Sequence, residues 1–242
     1  MLDPKDLLKF EEFARYIAEE AGKVTLEYFQ GEFTVETKED TSPVTIADKK
    51  SEETLRRLIQ KEFPEHGIVG EEFGITHPDA DLKWILDPID GTKPFVAGVP
   101  QYTVLVALEH ENDGVVGVIN NPPLKRMMVA SKGNGCRLNG KPVHVGMVSD
   151  LSRASILASD YSGICKTLGP RAAELLNVCR FAPGWGDAYG YSLVAEGKCD
   201  IMIDAGLKIW DAGPLKVCLE EAGGKFTDWN GTASIHIENA IA

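Results

Sequence analysis

The stretch Trp84-Ile-Leu-Asp87-Pro-Ile-Asp90-Gly-Thr92-Lys-Pro-Phe95 sets an apolar run directly before two aspartates. The run from Trp84 to Leu86 reads as a buried strand. Pro88 has no N–H to offer a sheet ladder, so the strand is expected to end at Leu86. Asp87 and Asp90 then flank a turn that Gly91 tightens, and Thr92 caps a short helix with Pro94 near its start. Carboxylates on such a turn can point into one cleft, where they suit a hard cation. The amides of Gly91 and Thr92 suit a phosphate. An Asx turn, with both aspartates bonded to their own backbone, accounts for the same residues equally well.

Outward from this stretch the chain sets more acid at the ends of elements. Gly70-Glu71-Glu72 follows the apolar pair Ile68-Val69, and Trp210-Asp211 opens a helix whose interior over 215–222 is apolar. An acid in a first helical turn is also favoured by the helix dipole alone. Three such sites brought together would repel one another unless cations lay between them.

The surrounding pattern divides the chain in two. Leu7, Phe10, Phe13, Ala14, Ile17, Ala21, Val24 and Tyr28 recur at helical spacing, with Asp3 as N-cap, Pro4 in the first turn and Gly31 as the stop. A second helix is expected over 45–62, closed by Pro64. Short strands follow at 68–69, 84–86, 102–109, 115–120 and 127–131. Turns are expected at Asn112-Asp113-Gly114 and Asn139-Gly140, so this part reads as an antiparallel sheet. From about residue 150 the rhythm is strand (154–158), helix (170–177), strand (179–182), helix (188–196), strand (200–203), helix (212–222) and strand (225–228). A last strand at 236–242 has nothing to cover it. The expected lobes are 1–145 and 146–242, the second an α/β unit.

Composition narrows the function. At 242 residues, 43% hydrophobic and 26% charged, the chain can bury a substantial core. A formal net charge of −12 argues against a nucleic-acid partner. A phosphorylated substrate remains compatible, because bound cations invert the field of an acidic site. No run approaches a membrane span, and the opening MLDPKDLLKF lacks the pattern of a signal peptide. The five cysteines have no metal-ligand spacing, so reduced thiols and a cytoplasmic location are expected.

The ordered set Asp48, Glu71-Glu72, Asp87-Pro-Ile-Asp-Gly-Thr92, Trp210-Asp211 and Gly223-Gly224 resembles the inositol monophosphatase family of lithium-sensitive, magnesium-dependent phosphatases. The resemblance covers nearly the whole chain. It implies an α/β (α+β) fold of two lobes in a layered α-β-α-β-α sandwich, an antiparallel sheet followed by a second, mixed sheet. It implies that Glu71, Asp87, Asp90, Asp211 and the Ile89 carbonyl hold metal, and that Asp48 and Thr92 orient or deprotonate the attacking water. Gly91 and Thr92 would cradle phosphate. Two or three Mg²⁺ per site are implied, with Mn²⁺ able to substitute, as are a homodimer and hydrolysis of a small phosphate monoester by metal-activated water. The family's usual C-terminal helix would begin where this chain stops, which reads as an incomplete C terminus.

For the substrate, Gly186-Asp187-Ala188-Tyr189 is similar to the histidinol-phosphate phosphatase branch, and Asp204, seven residues before Asp211, matches a substrate-contacting acidic position. Lys93 departs from the residue common in the inositol enzymes. Histidinol phosphate carries an ammonium and an imidazole, so an added carboxylate at the leaving-group end makes electrostatic sense. Asp187 reads equally well as the N-cap of the helix over 188–196, and Arg180 as either a solvated charge or a substrate contact. Inositol-1-phosphate or a broader sugar phosphate is the second substrate reading, a bisphosphorylated nucleotide the third. A catalytically idle binding protein is the reading from another class, weakened by the intact acidic set.

Overall fold

The computed structural model describes residues 2–31, 35–37 and 43–242. In chain order its elements are α1 (Pro4–Tyr28), β1 (Val35–Thr37), β2 (Pro43–Thr45), α2 (Ile46–Glu62), β3 (Gly67–Gly70), β4 (Gly74–Thr76), β5 (Leu82–Asp90), α3 (Thr92–Val96), β6 (Thr103–His110), β7 (Asp113–Asn121), β8 (Arg126–Ser131), β9 (Cys136–Leu138) and β10 (Lys141–Pro142). A 3₁₀ turn at Leu151–Arg153 leads to β11 (Ile156–Leu157), α4 (Tyr161–Leu168), α5 (Pro170–Val178), α6 (Asp187–Ala195), β12 (Ile201–Ala205), α7 (Ile209–Glu221) and β13 (Asn239–Ile241).

Eight strands form the main sheet in the order β10-β9-β8-β7-β6-β5-β3-β4. It is mixed rather than wholly antiparallel, because β3 runs parallel to β5. β6 shows why both faces are covered. Val104, Val106 and Leu108 join the apolar cluster of α1, which includes Phe10, Ala14 and Ile17. Leu105, on the opposite face, packs with Tyr191 of α6 and Leu215 of α7. A strand buried on both sides reads as a continuous apolar run, and β6 does. Beyond α6 and α7 lies the second sheet, β11-β12-β13, whose Ile156 and Ile203 meet Ile164 of α4 and Ala172 of α5. Helices and sheets therefore alternate in five layers, as the resemblance implies.

Several boundaries differ from expectation. β5 does not stop at Leu86 but continues to Asp90 through a register shift between Asp87 and Asp90. A proline is tolerated there because a bulge leaves its residue outside the ladder. Asp3 caps α1 as expected, but the left-handed residue after the helix is Gln30 (φ 63°), not Gly31. The β6–β7 turn is Glu111-Asn112, both with positive φ, one residue earlier than its Gly-containing signal. The strands expected at 179–182 and 225–228 reduce to single bridges at Phe181 and Thr227. The last strand is not bare, since β13 pairs antiparallel with β12. Among the described residues no helix is long and apolar enough to cross a membrane.

Candidate active site

The bulge in β5 turns two carboxylates to the same side. Asp87 does make the local bond of an Asx turn, its Oδ1 accepting from the Ile89 N–H at 3.0 Å. Asp90 instead reaches across the molecule. Its Oδ2 accepts from Thr103 Oγ1 of β6 at 2.9 Å and from the Ala188 N–H of α6 at 2.8 Å. Gly91, with φ 81° and ψ 47°, caps α3 in the left-handed region, so Thr92 is the first helical residue rather than the cap. The Thr92 hydroxyl donates to the Ile89 carbonyl at 3.2 Å.

The other acids arrive on element ends. Asp211 stands in the first turn of α7 and accepts from the Lys208 N–H at 2.7 Å. Carboxylate oxygens of Asp87, Asp90 and Asp211 lie within 4.8 Å of one another. Glu71 follows β3, its N–H bonded to the Leu86 carbonyl at 3.3 Å, and its charge acts on Asp87, Asp48 and Asp211. Asp48, fully buried near the start of α2, accepts from both the N–H (2.8 Å) and the hydroxyl (2.6 Å) of Thr45. Thr45 is thus the threonine bonded to Asp48, while Thr92 bonds Ile89. The Thr45-x-x-Asp48 spacing is a capping box, a signal legible in the sequence.

Burial, with crowding of like charge behind it, raises the pKa values of these acids. Burial pushes Asp87 well above the usual carboxylate range, with Glu71, Asp90 and Asp211 adding to the effect. Burial, then Asp187 and Asp211, does the same to Asp90 against the bonds from Ala188 and Thr103. Burial lifts Asp211 to about 7 and Asp48 to about 6. Oxygen-only ligands that are desolvated and mutually repulsive fit a hard dication, which replaces the protons they would otherwise retain.

Beside the acids is a cavity of about 110 Å³ whose walls include Asp90, Ser159, Asp187, Tyr191, Asp204 and Asp211. Asp187 does not cap α6. Gly186 holds that position, and Asp187 is the first helical residue with φ 53°. Its carboxylate packs toward Gly91, where an added Cβ would lie 3.1 Å from Oδ2. Burial raises Asp187, with Ser159 and Lys93 opposing. Burial lifts Asp204 to about 7, although it accepts the Ser159 N–H at 3.2 Å. The Tyr191 hydroxyl is fully buried and makes no hydrogen bond of good geometry among the described residues, and burial, then the nearby Asp204 carboxylate, raises its pKa well above the usual phenol value. Sequence reading passes over Ser159 and Tyr191, for which no local motif exists. Arg180 does not line the cavity. It is exposed, with its guanidinium 5.4 Å from the Phe181 ring centroid.

Comparison with known proteins shows the family to which the chain belongs. Residues 6–241 match the profile of the inositol monophosphatase family. A histidinol-phosphatase of Chlorobaculum parvum is 38% identical over 227 residues, spanning 93% of this chain and 87% of that protein. A second histidinol-phosphatase, from Mycobacterium tuberculosis, is 36% identical over 233 residues, 93% of this chain and 90% of that one. The solved structure of an inositol monophosphatase from Zymomonas mobilis superposes with a TM-score of 0.86 at 31% identity, covering 96% of this chain and 91% of that one. The chain therefore belongs to the inositol monophosphatase family, metal-dependent phosphatases of small phosphate monoesters, and is a phosphoric monoester hydrolase.

Proposed function

We propose that this enzyme hydrolyses the phosphate monoester of a cationic amino alcohol, of the histidinol phosphate type, with Mg²⁺ held by Glu71, Asp87, Asp90, Asp211 and the Ile89 carbonyl. The observation that carries the substrate reading is the pair Asp187 and Asp204 on the wall of the cavity that also contains Asp90 and Asp211. Carboxylates at the leaving-group end favour an ammonium or imidazolium over a neutral polyol. The histidinol-phosphatases of C. parvum and M. tuberculosis, both similar over most of this chain, support the same choice.

In this reading the amides of Gly91 and Thr92 hold the phosphate. Asp48, at about 6, is placed in the range where a carboxylate serves as base near neutral pH, and with Thr92 it orients the water that attacks phosphorus. The P–O ester bond breaks, and the departing alcohol oxygen takes up a proton. When bound, Mg²⁺ supplies Lewis-acid neutralisation of phosphate charge and makes water easier to deprotonate. Two or three Mg²⁺ per site, Mn²⁺ as a substitute, inhibition by Li⁺, a homodimer and a cytoplasmic location complete the proposal.

Inositol-1-phosphate is the second reading, favoured by the likeness to the Zymomonas inositol monophosphatase. Steady-state kinetics on histidinol phosphate, inositol-1-phosphate and a neutral aryl phosphate, each with Mg²⁺, decide between them. The proposal expects the highest kcat/KM on histidinol phosphate, by about tenfold or more, one charge-assisted contact's worth. A higher value on inositol-1-phosphate overturns it.

A further inference from the structure

Glu52 lies one turn beyond Asp48 on α2, and it is fully buried. It belongs neither to the acid cluster nor to the cavity wall. Its Oε2 accepts the Glu72 N–H at 2.7 Å, and its Oε1 accepts the Phe73 N–H at 3.2 Å and Arg56 Nε at 2.7 Å. Arg56 also donates to Thr76 Oγ1 at 3.0 Å and to the Gly74 carbonyl, so the clamp is tied to β4 as well.

The two amides that Glu52 takes are those immediately after Glu71. They stand between the end of β3 at Gly70 and the start of β4 at Gly74, outside the strand ladder. Gly70 is shaped to this contact, since a Cβ there would lie 2.1 Å from Glu52 Oε1. The neighbouring Ser51 hydroxyl approaches the Pro88 carbonyl at 3.5 Å, in the bulge between Asp87 and Asp90. One face of α2 therefore carries Asp48, touches the bulge and holds the turn that presents Glu71.

We propose that Glu52 is a positioning residue for metal binding, its carboxylate fixing the turn at residues 70–73 so that Glu71 faces the aspartates. This rests on Glu71 being a metal ligand. A purely structural clamp would change stability but leave the Mg²⁺ affinity of the folded protein unaltered.

The test is calorimetric titration of the full chain with Mg²⁺, alongside melting temperature with and without Mg²⁺. It compares wild type, Glu52→Gln, Glu52→Asp and Glu71→Gln. In Glu52→Gln an amide NH₂ replaces one acceptor and faces a donor, so at least one turn bond is lost. Removing a partner behind a metal ligand typically weakens metal binding about 10- to 100-fold. Glu52→Gln should therefore raise the Mg²⁺ Kd by about tenfold or more, shrink the Mg²⁺-induced rise in Tm, and leave kcat at saturating Mg²⁺ within a few-fold. Glu52→Asp keeps the charge but retracts it by one methylene, and it carries the same expectation with a smaller loss should Glu52→Gln not fold. Folded Glu52 variants with wild-type Mg²⁺ affinity overturn the proposal while leaving Glu71 a ligand. Unchanged affinity in Glu71→Gln overturns the metal assignment itself.

Discussion

The two walls of the cleft are built differently. Asp87, Ile89 and Asp90 occupy one short piece of β5, an interior strand of the eight-stranded sheet, and Trp84, Ile85 and Leu86 just before them are fully buried. The facing wall is gathered from separate elements. Ser159 follows β11, Asp187 opens α6 and Asp204 lies on β12. They are joined by polar bonds, the Asp187 N–H to Ser159 Oγ at 2.6 Å and the Ser159 N–H to Asp204 at 3.2 Å. Altering the first wall means deforming a close-packed sheet. Altering the second means exchanging side chains at element ends, where substitution is better tolerated. The chemistry common to a family belongs on the first kind of wall, and substrate choice on the second.

The largest predicted effect falls on the β5 wall. Asp90→Asn should lower kcat/KM by at least about a hundredfold, since metal-borne charge stabilisation is worth several kcal/mol and each 1.4 kcal/mol or so is tenfold. The fold should survive, because asparagine can still accept from Thr103 and Ala188. Circular dichroism and phosphate release at saturating Mg²⁺ check both halves. Near-wild-type turnover would remove Asp90 from the metal site.

On the facing wall, Asp187→Ala should act selectively. A charge-assisted contact is worth about 1.5–3 kcal/mol, or about a tenfold to hundredfold preference. The variant should lose that factor in kcat/KM for histidinol phosphate and little for a neutral aryl phosphate. Equal loss on both would make Asp187 a support for Gly91 rather than a selector, and would move inositol-1-phosphate to first place.

The same contrast explains what the sequence discloses. α1 and α2 are plain from periodicity, because one face of each is buried on the sheet. Asp87 and Asp90 are legible because their geometry is local. The continuation of β5 through Pro88 is not, since proline's missing donor signals an end and the bulge that accommodates it depends on pairing with β6. Glu111-Asn112 escapes because neither residue is the glycine that marks a left-handed turn. Short α4 escapes although Asp160 caps it, because its core contact is mainly Ile164. Ser159 and Tyr191 are visible only in three dimensions. Ser159 meets Asp187 across 28 positions and Asp204 across 45.

The smallest predicted effect separates the walls by titration. Burial raises Asp204 from 3.8 to about 7, so its ionisation opposes folding. The sign follows from proton counts. Between those values the folded chain holds a proton that the unfolded chain has lost. The penalty is absent below about pH 4, grows as pH rises through the folded pKa, and is complete above about 7. Asp211, at about 7, contributes in the same direction until a cation neutralises it. Melting temperature without metal should therefore fall between about pH 4 and about pH 7, the window these values set. Mg²⁺ should remove the share belonging to the metal ligands and leave that of Asp204. Asparagine imitates the protonated carboxyl and can still accept the Ser159 N–H. Asp204→Asn with Mg²⁺ present should thus melt higher than wild type at pH 8 by several degrees, at about 2–4 °C per kcal/mol for a chain of this size, and level with wild type at about pH 4, where both carry a neutral group. A gain of the same size at both pH values would trace the effect to packing rather than charge. A loss at pH 8 would show that Asp204 is held ionised by a partner, and the selecting wall would then already be neutralised before any cationic substrate arrives.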